Sequence, residues 1–125
     1  MEEIRAITES EWKILQQLWT NEPMTITQLT RAFEQETAWS KHTIISFLNR
    51  MEEKDLVFYQ EDGRARQYYT LIDRAMALQQ EAGQYLQKTA SVNRLTSVQA
   101  VIQWAHLSQE ELQTLIEWIN QQKII

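Results

Sequence analysis

Apolar residues recur at intervals of three and four in the opening segment of the chain. Thr8 and Glu11 have the spacing of a capping box, in which each side chain accepts a hydrogen bond from the other residue's backbone N–H. The pattern therefore predicts a first helix from about 9 to 20, which stops before Pro23 because proline blocks its continuation. Its apolar stripe consists of Trp12, Leu15, Leu18 and Trp19.

Two further helices are predicted before residue 55. After a short extended entry at 24–26, the second helix is expected to begin at Thr27 and to bury Leu29, Ala32 and Phe33. Ser40 is a residue type preferred at helix N-caps, so a third helix is predicted over about 41–54. One side of this helix is apolar and consists of Ile44, Ile45, Phe47, Leu48 and Met51.

A β-hairpin is predicted directly after these helices. Two runs of β-branched and aromatic residues, 56–60 and 66–72, flank the tetrapeptide EDGR, and Asp-Gly between such runs is a strong hairpin signal. Three helices followed by a two-stranded hairpin are the element order of a winged helix-turn-helix. The third helix is then expected to be the recognition helix, whose N-terminal residues can reach base edges in a major groove.

The second half of the chain contains amphipathic helices alone. The first, over 73–88, has an apolar stripe formed by Ala75, Leu78, Ala82, Tyr85 and Leu86. The second is expected to be capped at Thr96 or Ser97, and the third opens on a capping box of Ser108 with Glu111.

About fifty residues in three such helices cannot bury their apolar faces alone, because small units remove little surface from water. A symmetric homodimer is the commonest solution. The expected fold is mainly α (α+β), with a winged-helix DNA-binding domain over 1–73 and a helical dimerisation domain over 74–125. The residues expected at the dimer interface are Leu78, Tyr85, Leu86, Val101, Trp104, Leu112, Leu115, Ile116 and Ile119.

Composition excludes several classes of protein. The 125 residues include two Gly, one Pro and no Cys, which argues against a disordered chain, a disulfide framework and a thiolate metal site. No apolar run reaches the ~18 residues of a membrane span. The segment MEEIRAITES lacks the layout of a secretion signal, so the expected location is cytoplasmic.

The charge balance argues weakly against a nucleic-acid partner. The net charge is −5, and residues 1–74 hold nine Lys or Arg against thirteen Asp or Glu. Phosphate binding favours a basic surface. Five of those cations and five of those acids fall between 41 and 66, so the placement of the cations decides the question.

The polar side of the predicted recognition helix carries short hydrogen-bonding side chains, where a solvated face in so acidic a chain would be expected to carry Glu and Lys. Ser46 and Asn49 allow close approach and can read base edges or phosphates, and Arg50 can bind a phosphate or a guanine. A plain solvated face is the alternative. The candidate DNA contacts of this helix are Lys41, His42, Thr43, Ser46, Asn49 and Arg50.

Arg64 and Arg66 at the predicted hairpin tip are two more candidate DNA contacts. They are expected to clamp phosphates or to reach into the minor groove beside the helix, and a solvated turn is the alternative. Arg66 begins the second strand and has an alternative partner across the hairpin in Glu61, so Arg64 is the better candidate.

The remaining aromatic residues and the histidines indicate core packing more than chemistry. Trp12, Trp19 and Trp39 are expected in the core, whereas Trp104 and Trp118 suit either a core or a dimer interface. The two histidines, His42 and His106, lack carboxylate or thiol companions at ligand spacing, so no metal or other cofactor is expected. No Ser-His-Asp order or Gly-rich phosphate loop is present, and the protein is not expected to be an enzyme.

Four segments resemble the BlaI/MecI/CopY family of bacterial transcriptional repressors: ITESEWKILQQLW, TAWSKHTIISFLNRMEEKDLV, GRARQYYTLI and LSQEELQTLIEWI. Together the ordered set extends over essentially the whole chain. The resemblance implies that His42, Thr43, Ser46 and Arg50 contact an operator and that Arg64 and its neighbours contact DNA through the wing. It also implies a homodimer on a palindrome, with recognition helices about one helical turn of DNA, ~34 Å, apart.

The chain departs from the family pattern at several positions. Lys41-His42 stands where the family often has Pro-Lys, and Asp55 replaces a frequent Gly at a position that favours the left-handed conformation. The lack of Cys excludes the thiolate metal sensing of the copper-responsive members. The Asn-Phe bond cleaved during induction of the β-lactam members aligns with Ala100-Val101, so that route of induction is not expected.

Two hypotheses from different classes follow. The first is a homodimeric, sequence-specific DNA-binding repressor that covers promoter DNA until a signal loosens the dimer or lowers its affinity for DNA; a sensor protein that relieves repression is a further candidate partner. The alternative is a winged-helix protein–protein interaction module, which the acidic balance favours. Random duplex DNA at low salt distinguishes them, because only a repressor should bind it weakly and with salt sensitivity.

Overall fold

Helices and one two-stranded antiparallel sheet make up the fold in the predicted order. The computed structural model describes residues 6–89 and 91–122. The elements are α1 (Glu9–Asn21), α2 (Ile26–Ala32), α3 (Lys41–Glu53), β1 (Val57–Asp62), β2 (Ala65–Thr70), α4 (Arg74–Thr89), α5 (Arg94–Ala105) and α6 (Gln109–Gln121). This order confirms the predicted fold class, a winged helix followed by further helices.

The chain divides into two compact units between Gln84 and Tyr85, inside α4. The domain boundary predicted at 73/74 coincides with the start of α4 and stays a prediction. The pentapeptide MEEIR, which belongs to the segment inspected for a secretion signal, lies outside the described residues. Among the helices that the structure describes, none is long and apolar enough to cross a membrane.

Side-chain caps set the starts of the helices. At α1, Thr8 Oγ1 accepts from the Glu11 N–H at 3.2 Å, and the Thr8 N–H donates to Glu11 Oε1 at 2.9 Å. Ser40 Oγ accepts from the Thr43 N–H at 3.2 Å at the start of α3. The capping box that opens α6 is also present. These three predicted caps are confirmed.

Two helix starts differ from the prediction because other capping residues were missed. Thr25 and Gln28 form a capping box, so α2 begins at Ile26 and the extended entry is shorter than expected. Asn93 caps α5 by accepting from the Thr96 N–H at 2.9 Å. The predicted caps Thr96 and Ser97 therefore lie inside α5, because asparagine is at least as good an N-cap as serine or threonine.

The hydrophobic core lies within the first compact unit. It consists of Ile7, Ile14, Leu15, Leu18, Met24, Leu29, Phe33, Ile44, Leu48, Met51, Leu56, Val57, Tyr68, Ile72 and Ala77. Trp12, Trp19 and Trp39 pack against it as half-buried side chains, in agreement with the prediction. Ala32, in contrast, is exposed and not buried, because the short α2 turns only Leu29 fully inward and Phe33 follows its last residue.

A buried ion pair joins α1 to the end of α3. Glu11 is only 2% exposed, and its two carboxylate oxygens lie 2.8 and 3.0 Å from Lys54 Nζ. Lys54 also donates to the Ala6 carbonyl oxygen at 3.0 Å. Because a buried carboxylate requires a partner, this contact fixes the end of α3 against the start of α1.

The residues described in the second compact unit, 85–89 and 91–122, do not form a hydrophobic core. Within this unit, the Tyr85 hydroxyl donates to the Ser97 carbonyl oxygen at 2.8 Å. No apolar side chain described between 85 and 122 is fully buried, and Trp104 is 84% exposed. Trp118 is exposed too, so neither tryptophan belongs to a core within this single chain.

The apolar stripe predicted on α4 is largely uncovered in the single chain. Ala75, Leu78 and Ala82 are exposed, whereas Tyr85 and Leu86 are half-buried. Of these side chains, Leu78, Tyr85 and Leu86 are expected at the dimer interface.

Candidate nucleic-acid interface

α3 separates its buried and exposed residues into two sides. Ile44, Leu48 and Met51 are completely buried in the core. The exposed residues His42, Ser46, Asn49 and Arg50 recur at intervals of three and four, so they share the opposite side of the helix. Lys41 is exposed at the first helical position. The structure thus brings four of the six helical candidates together on one side of α3, whereas Lys41 is only shown to be exposed at its first position and Thr43 is half-buried.

Thr43 is engaged at the N-cap of α3. Its backbone N–H donates to Ser40 Oγ, its hydroxyl lies 3.0 Å from the same atom, and its side chain is half-buried. This pairing directs the Thr43 hydroxyl toward the cap. Lys41 and His42 flank an N-terminus where unpaired backbone N–H groups and the helix dipole favour an anion such as phosphate.

Arg50 lies beside an aromatic cluster. Its guanidinium carbon is 5.4 Å from the centre of the Phe47 ring, which is a cation–π distance. The Phe47 ring contacts Trp39 edge-on with centres 5.0 Å apart, and Trp39 contacts Phe33 at 4.9 Å. Arg50 itself is exposed.

The tip of the β1–β2 hairpin is a two-residue loop of Gly63 and Arg64. Asp62 pairs with Ala65 on either side of it, and Gly63 has φ +67. Among described non-glycine residues positive φ occurs only at Asp55 and His106, so Arg64 does not share it. A positive φ at the first loop position alone is the pattern of a type II′ turn, for which glycine is the preferred residue. The hairpin therefore presents an exposed Arg64 at its tip.

Arg66 lies on the strand beside Tyr59 and Tyr68. Its guanidinium carbon is 4.2 Å from the centre of the Tyr59 ring, and a side-chain hydrogen bond with Tyr68 raises its pKa. Burial raises the pKa of Tyr68 in turn. Glu61 stands opposite Arg66 in the strand register, as the sequence suggested. The stacking on Tyr59 gives Arg66 a structural role in the hairpin that the sequence did not reveal.

The hairpin is attached to the helices through contacts that sequence reasoning missed. Met24 and Tyr68 exchange backbone hydrogen bonds of 3.2 and 2.8 Å as an isolated bridge. The Glu22 carboxylate accepts from the Thr70 N–H at 3.0 Å and from its hydroxyl. These pairs are more than forty residues apart in the chain, so no local pattern could have indicated them.

Metal ligands do not gather anywhere in the ranges that the structure describes: no group of three or more His, Asp or Glu side chains is placed to hold an ion.

Comparison with known proteins identifies relatives over nearly the whole chain. The methicillin resistance regulatory protein MecI of Staphylococcus epidermidis is 20% identical over 114 residues, which cover 91% of this chain and 93% of MecI. The solution structure of the DNA-binding domain of the repressor BlaI is similar with a TM-score of 0.53 and 23% identity. The monomeric Bacillus licheniformis BlaI in complex with the blaP half-operator has a TM-score of 0.52 and 23% identity. Each covers 60% of this chain and 92% of the BlaI chain, and at this identity each shows the fold alone.

The sequence model of the penicillinase repressor family matches residues 7–121. This match confirms the resemblance inferred from the four segments and the expectation that the protein is not an enzyme. The chain belongs to the penicillinase repressor family, a family of DNA-binding transcriptional repressors with a winged-helix fold.

Proposed function

We propose that this protein represses transcription as a homodimer that binds a palindromic DNA operator through α3 and the β1–β2 hairpin. The observation that carries the proposal is the exposed stripe of His42, Ser46, Asn49 and Arg50 on a helix whose opposite side is locked into the core. The family match supports it, as does a BlaI structure of similar fold that is a complex with a half-operator.

The side chains of the stripe suit different parts of a DNA duplex. Ser46 and Asn49 are short and can hydrogen-bond to base edges or to phosphates once the helix lies in the major groove. Arg50 offers a forked guanidinium for a guanine or a phosphate. Lys41 adds a positive charge and His42 adds a ring N–H donor at the helix N-terminus, where a phosphate binds favourably.

The hairpin contributes to binding through Arg64. Its neighbours Glu61 and Asp62 are acidic and exposed, so the tip is not a broadly basic surface. A net charge of −5 further limits general attraction to phosphates. The proposed affinity therefore depends on a few placed contacts, and the salt dependence of binding should be modest.

Association through the second compact unit would place two recognition helices on one operator. The residues expected at the interface include Leu112, Ile116 and Ile119, which are exposed at intervals of three and four on α6. Two copies related by a two-fold axis would read two half-sites about one DNA turn, ~34 Å, apart. Repression follows when this dimer covers promoter DNA, and a sensor protein would relieve it by loosening the dimer or lowering its affinity for DNA.

The test is a salt-titrated binding assay on the full chain with fragments selected from the source genome and with random duplex DNA. Arg64→Ala should weaken binding to all sequences alike and reduce the slope of log affinity against log salt by ~1. Ser46→Ala or Asn49→Ala should change sequence preference more than salt dependence. Arg94→Ala, which removes an exposed arginine from α5, is the matched control and should change neither.

Wild-type protein that shows no salt-sensitive binding to random duplex would refute the proposal in favour of the protein-interaction module. If the Arg64, Ser46 and Asn49 variants behave alike, the roles given to these residues are wrong even though the protein binds DNA.

A further inference from the structure

We propose that Phe47 is a positioning residue for DNA recognition: its ring, fixed by Trp39, directs the Arg50 guanidinium before DNA is bound. The inference rests on the proposed function and adds a residue that does not itself face the duplex. Phe47 belongs to the side of α3 that the sequence identifies as apolar.

The geometry places Arg50 against a fixed ring. Phe47 and Arg50 are three residues apart on α3 and are neighbours on its surface. The guanidinium carbon lies 5.4 Å from the ring centre, within the ~6 Å over which a ring face attracts a cation. Phe47 is half-buried and packs against the core, whereas Arg50 is exposed. The ring therefore stands at the boundary between the core and the proposed DNA-binding surface.

The ring is held in place by a series of aromatic contacts that leads into the core. Phe47 meets Trp39 edge-on, with centres 5.0 Å apart and planes at 71°. Trp39 meets Phe33 at 4.9 Å, and Phe33 is 2% exposed. Trp39 also directly precedes the N-cap residue of α3, and the backbone N–H of Trp39 donates to Thr37 Oγ1 at 3.3 Å. A rotation of the Phe47 ring would therefore disturb packed neighbours, so the ring can act as a stationary platform.

A fixed platform lowers the cost of using Arg50. An exposed arginine loses rotamer freedom when it binds DNA, and that loss weakens binding. A side chain that already lies along a ring loses less, which is the general benefit of preorganisation. Leucine at position 47 would still cover the core, but it has no ring face to attract a cation.

A double-mutant cycle on the full chain separates positioning from simple packing. In the wild-type background, Phe47→Leu should weaken operator binding about 2- to 5-fold, the factor that an exposed cation–π contact supports. In the Arg50→Ala background, the same substitution should leave affinity unchanged. Phe47→Tyr, which keeps the ring, should bind like the wild type.

Phe58→Leu is the matched control, because Phe58 is a half-buried aromatic residue on β1 whose ring stacks on Tyr69 at 5.1 Å. It should change affinity by the same factor in both backgrounds. Assays run well below the unfolding temperature of each variant keep stability differences out of the comparison.

A second readout needs no DNA. The Phe47 ring current should shift the NMR signals of the Arg50 side-chain protons, and Phe47→Leu should remove that shift while Phe58→Leu leaves it. The inference would be overturned, while the proposed function stands, if Phe47→Leu had equal effects on affinity in the two backgrounds. It would also be overturned if the substitution left the chemical shifts of the Arg50 side chain unchanged. A wild-type protein without salt-sensitive DNA binding would instead overturn the proposed function, and the inference with it.

Discussion

Glu11 has two roles at the start of α1, and only one of them is visible in the sequence. Its carboxylate accepts from the Thr8 N–H, as the spacing of a capping box predicts. The same carboxylate is buried and bound to Lys54, forty-three residues later. A helix cap depends on residues that are neighbours in the chain, so it can be predicted from the amino-acid sequence. The partner of a buried charge depends on how distant segments of the chain pack.

Removing Lys54 should destabilise the fold substantially. Lys54→Met leaves the Glu11 carboxylate buried without its counter-charge, and we expect the free energy of unfolding to fall by about 2–3 kcal/mol. Urea unfolding at one fixed protein concentration measures this, since association would otherwise shift the result.

Lys13→Met is the matched control, because Lys13 pairs with Glu36 at 3.9 Å where both side chains are substantially exposed. Surface pairs of this kind contribute less than about 1 kcal/mol, so this variant should unfold nearly like the wild type. Equal decreases in the free energy of unfolding of the two variants would show that the buried Glu11–Lys54 pair stabilises the fold no more than a surface pair does.

The candidate DNA contacts show the limits of residue-level prediction. The exposed stripe on α3 followed from periodicity, because the buried residues Ile44 and Leu48 fix which side faces outward. The engagement of Thr43 with its cap and the stacking of Arg66 on Tyr59 did not follow. Both depend on side-chain directions, and a one-letter pattern carries no information about them.

At the scale of elements, α3 ends in a Schellman motif. The Leu56 N–H donates to the Met51 carbonyl at 2.9 Å, and the Asp55 N–H donates to the Glu52 carbonyl at 3.1 Å. Asp55 takes the left-handed conformation with φ 59, at the position where the resembling family often has Gly. Leu56 and Met51 are both buried, which supplies the apolar contact that usually accompanies this motif.

Asp55→Gly should therefore stabilise the protein. The left-handed conformation costs an L-residue roughly 1–2 kcal/mol, aspartate somewhat less, and glycine adopts it without that cost. Because glycine also loses more freedom on folding, the expected net gain is about 0.5–1 kcal/mol in thermal or urea unfolding.

Gly63→Ala tests the same conformational preference, but here the substitution should lower the stability of the protein. Gly63 has φ +67, and an added Cβ would meet no atom within 4 Å, so the backbone conformation alone opposes alanine there. This variant should lose roughly 1 kcal/mol. A destabilised Asp55→Gly protein would contradict the account of both positions.

Element boundaries were predictable where one capping residue dominated. Ser40 and Ser108 each precede an amphipathic helix, and the predicted starts of these two helices were correct. α2 and α5 began earlier than expected because Thr25 with Gln28, and Asn93, are also good caps. Where several residues of preferred capping type lie close together, as at Asn93, Thr96 and Ser97, the residue types alone do not select one of them.

At the scale of the whole molecule, the two compact units differ in how far they bury their apolar residues. The first buries them in its own core. The second exposes Val92, Leu95 and Trp104, together with the apolar face of α6. Exposed apolar side chains in such numbers indicate an interaction surface, which supports the proposed homodimer. The pattern predicted three amphipathic helices that need a partner to cover them, but it could not assign Trp104 and Trp118 to a core or to an interface; both are exposed in the single chain.

Ile116→Glu should disrupt that dimer. Ile116 is half exposed in the single chain, so the substitution should leave the winged-helix unit folded. In a symmetric interface it would bury two carboxylates, and dimer affinity should fall ~100-fold or more. Sedimentation velocity across micromolar concentrations measures the change.

Thr114→Glu introduces the same side chain on the opposite side of α6, where Thr114 is exposed, and should leave the dimer intact. Wild-type protein that sediments as a monomer at micromolar concentration would refute the proposed assembly. An Ile116→Glu protein that remains dimeric would place the interface elsewhere.

The tryptophans are distributed so that each compact unit carries its own intrinsic fluorophores. Trp12, Trp19 and Trp39 pack against the core of the first unit, whereas Trp104 and Trp118 are exposed in the second. Indole emission moves to shorter wavelength when water is excluded from the ring. Emission from the second pair should thus report association, while emission from the first three reports unfolding, so single-tryptophan variants would follow the two events by optical means without any added label.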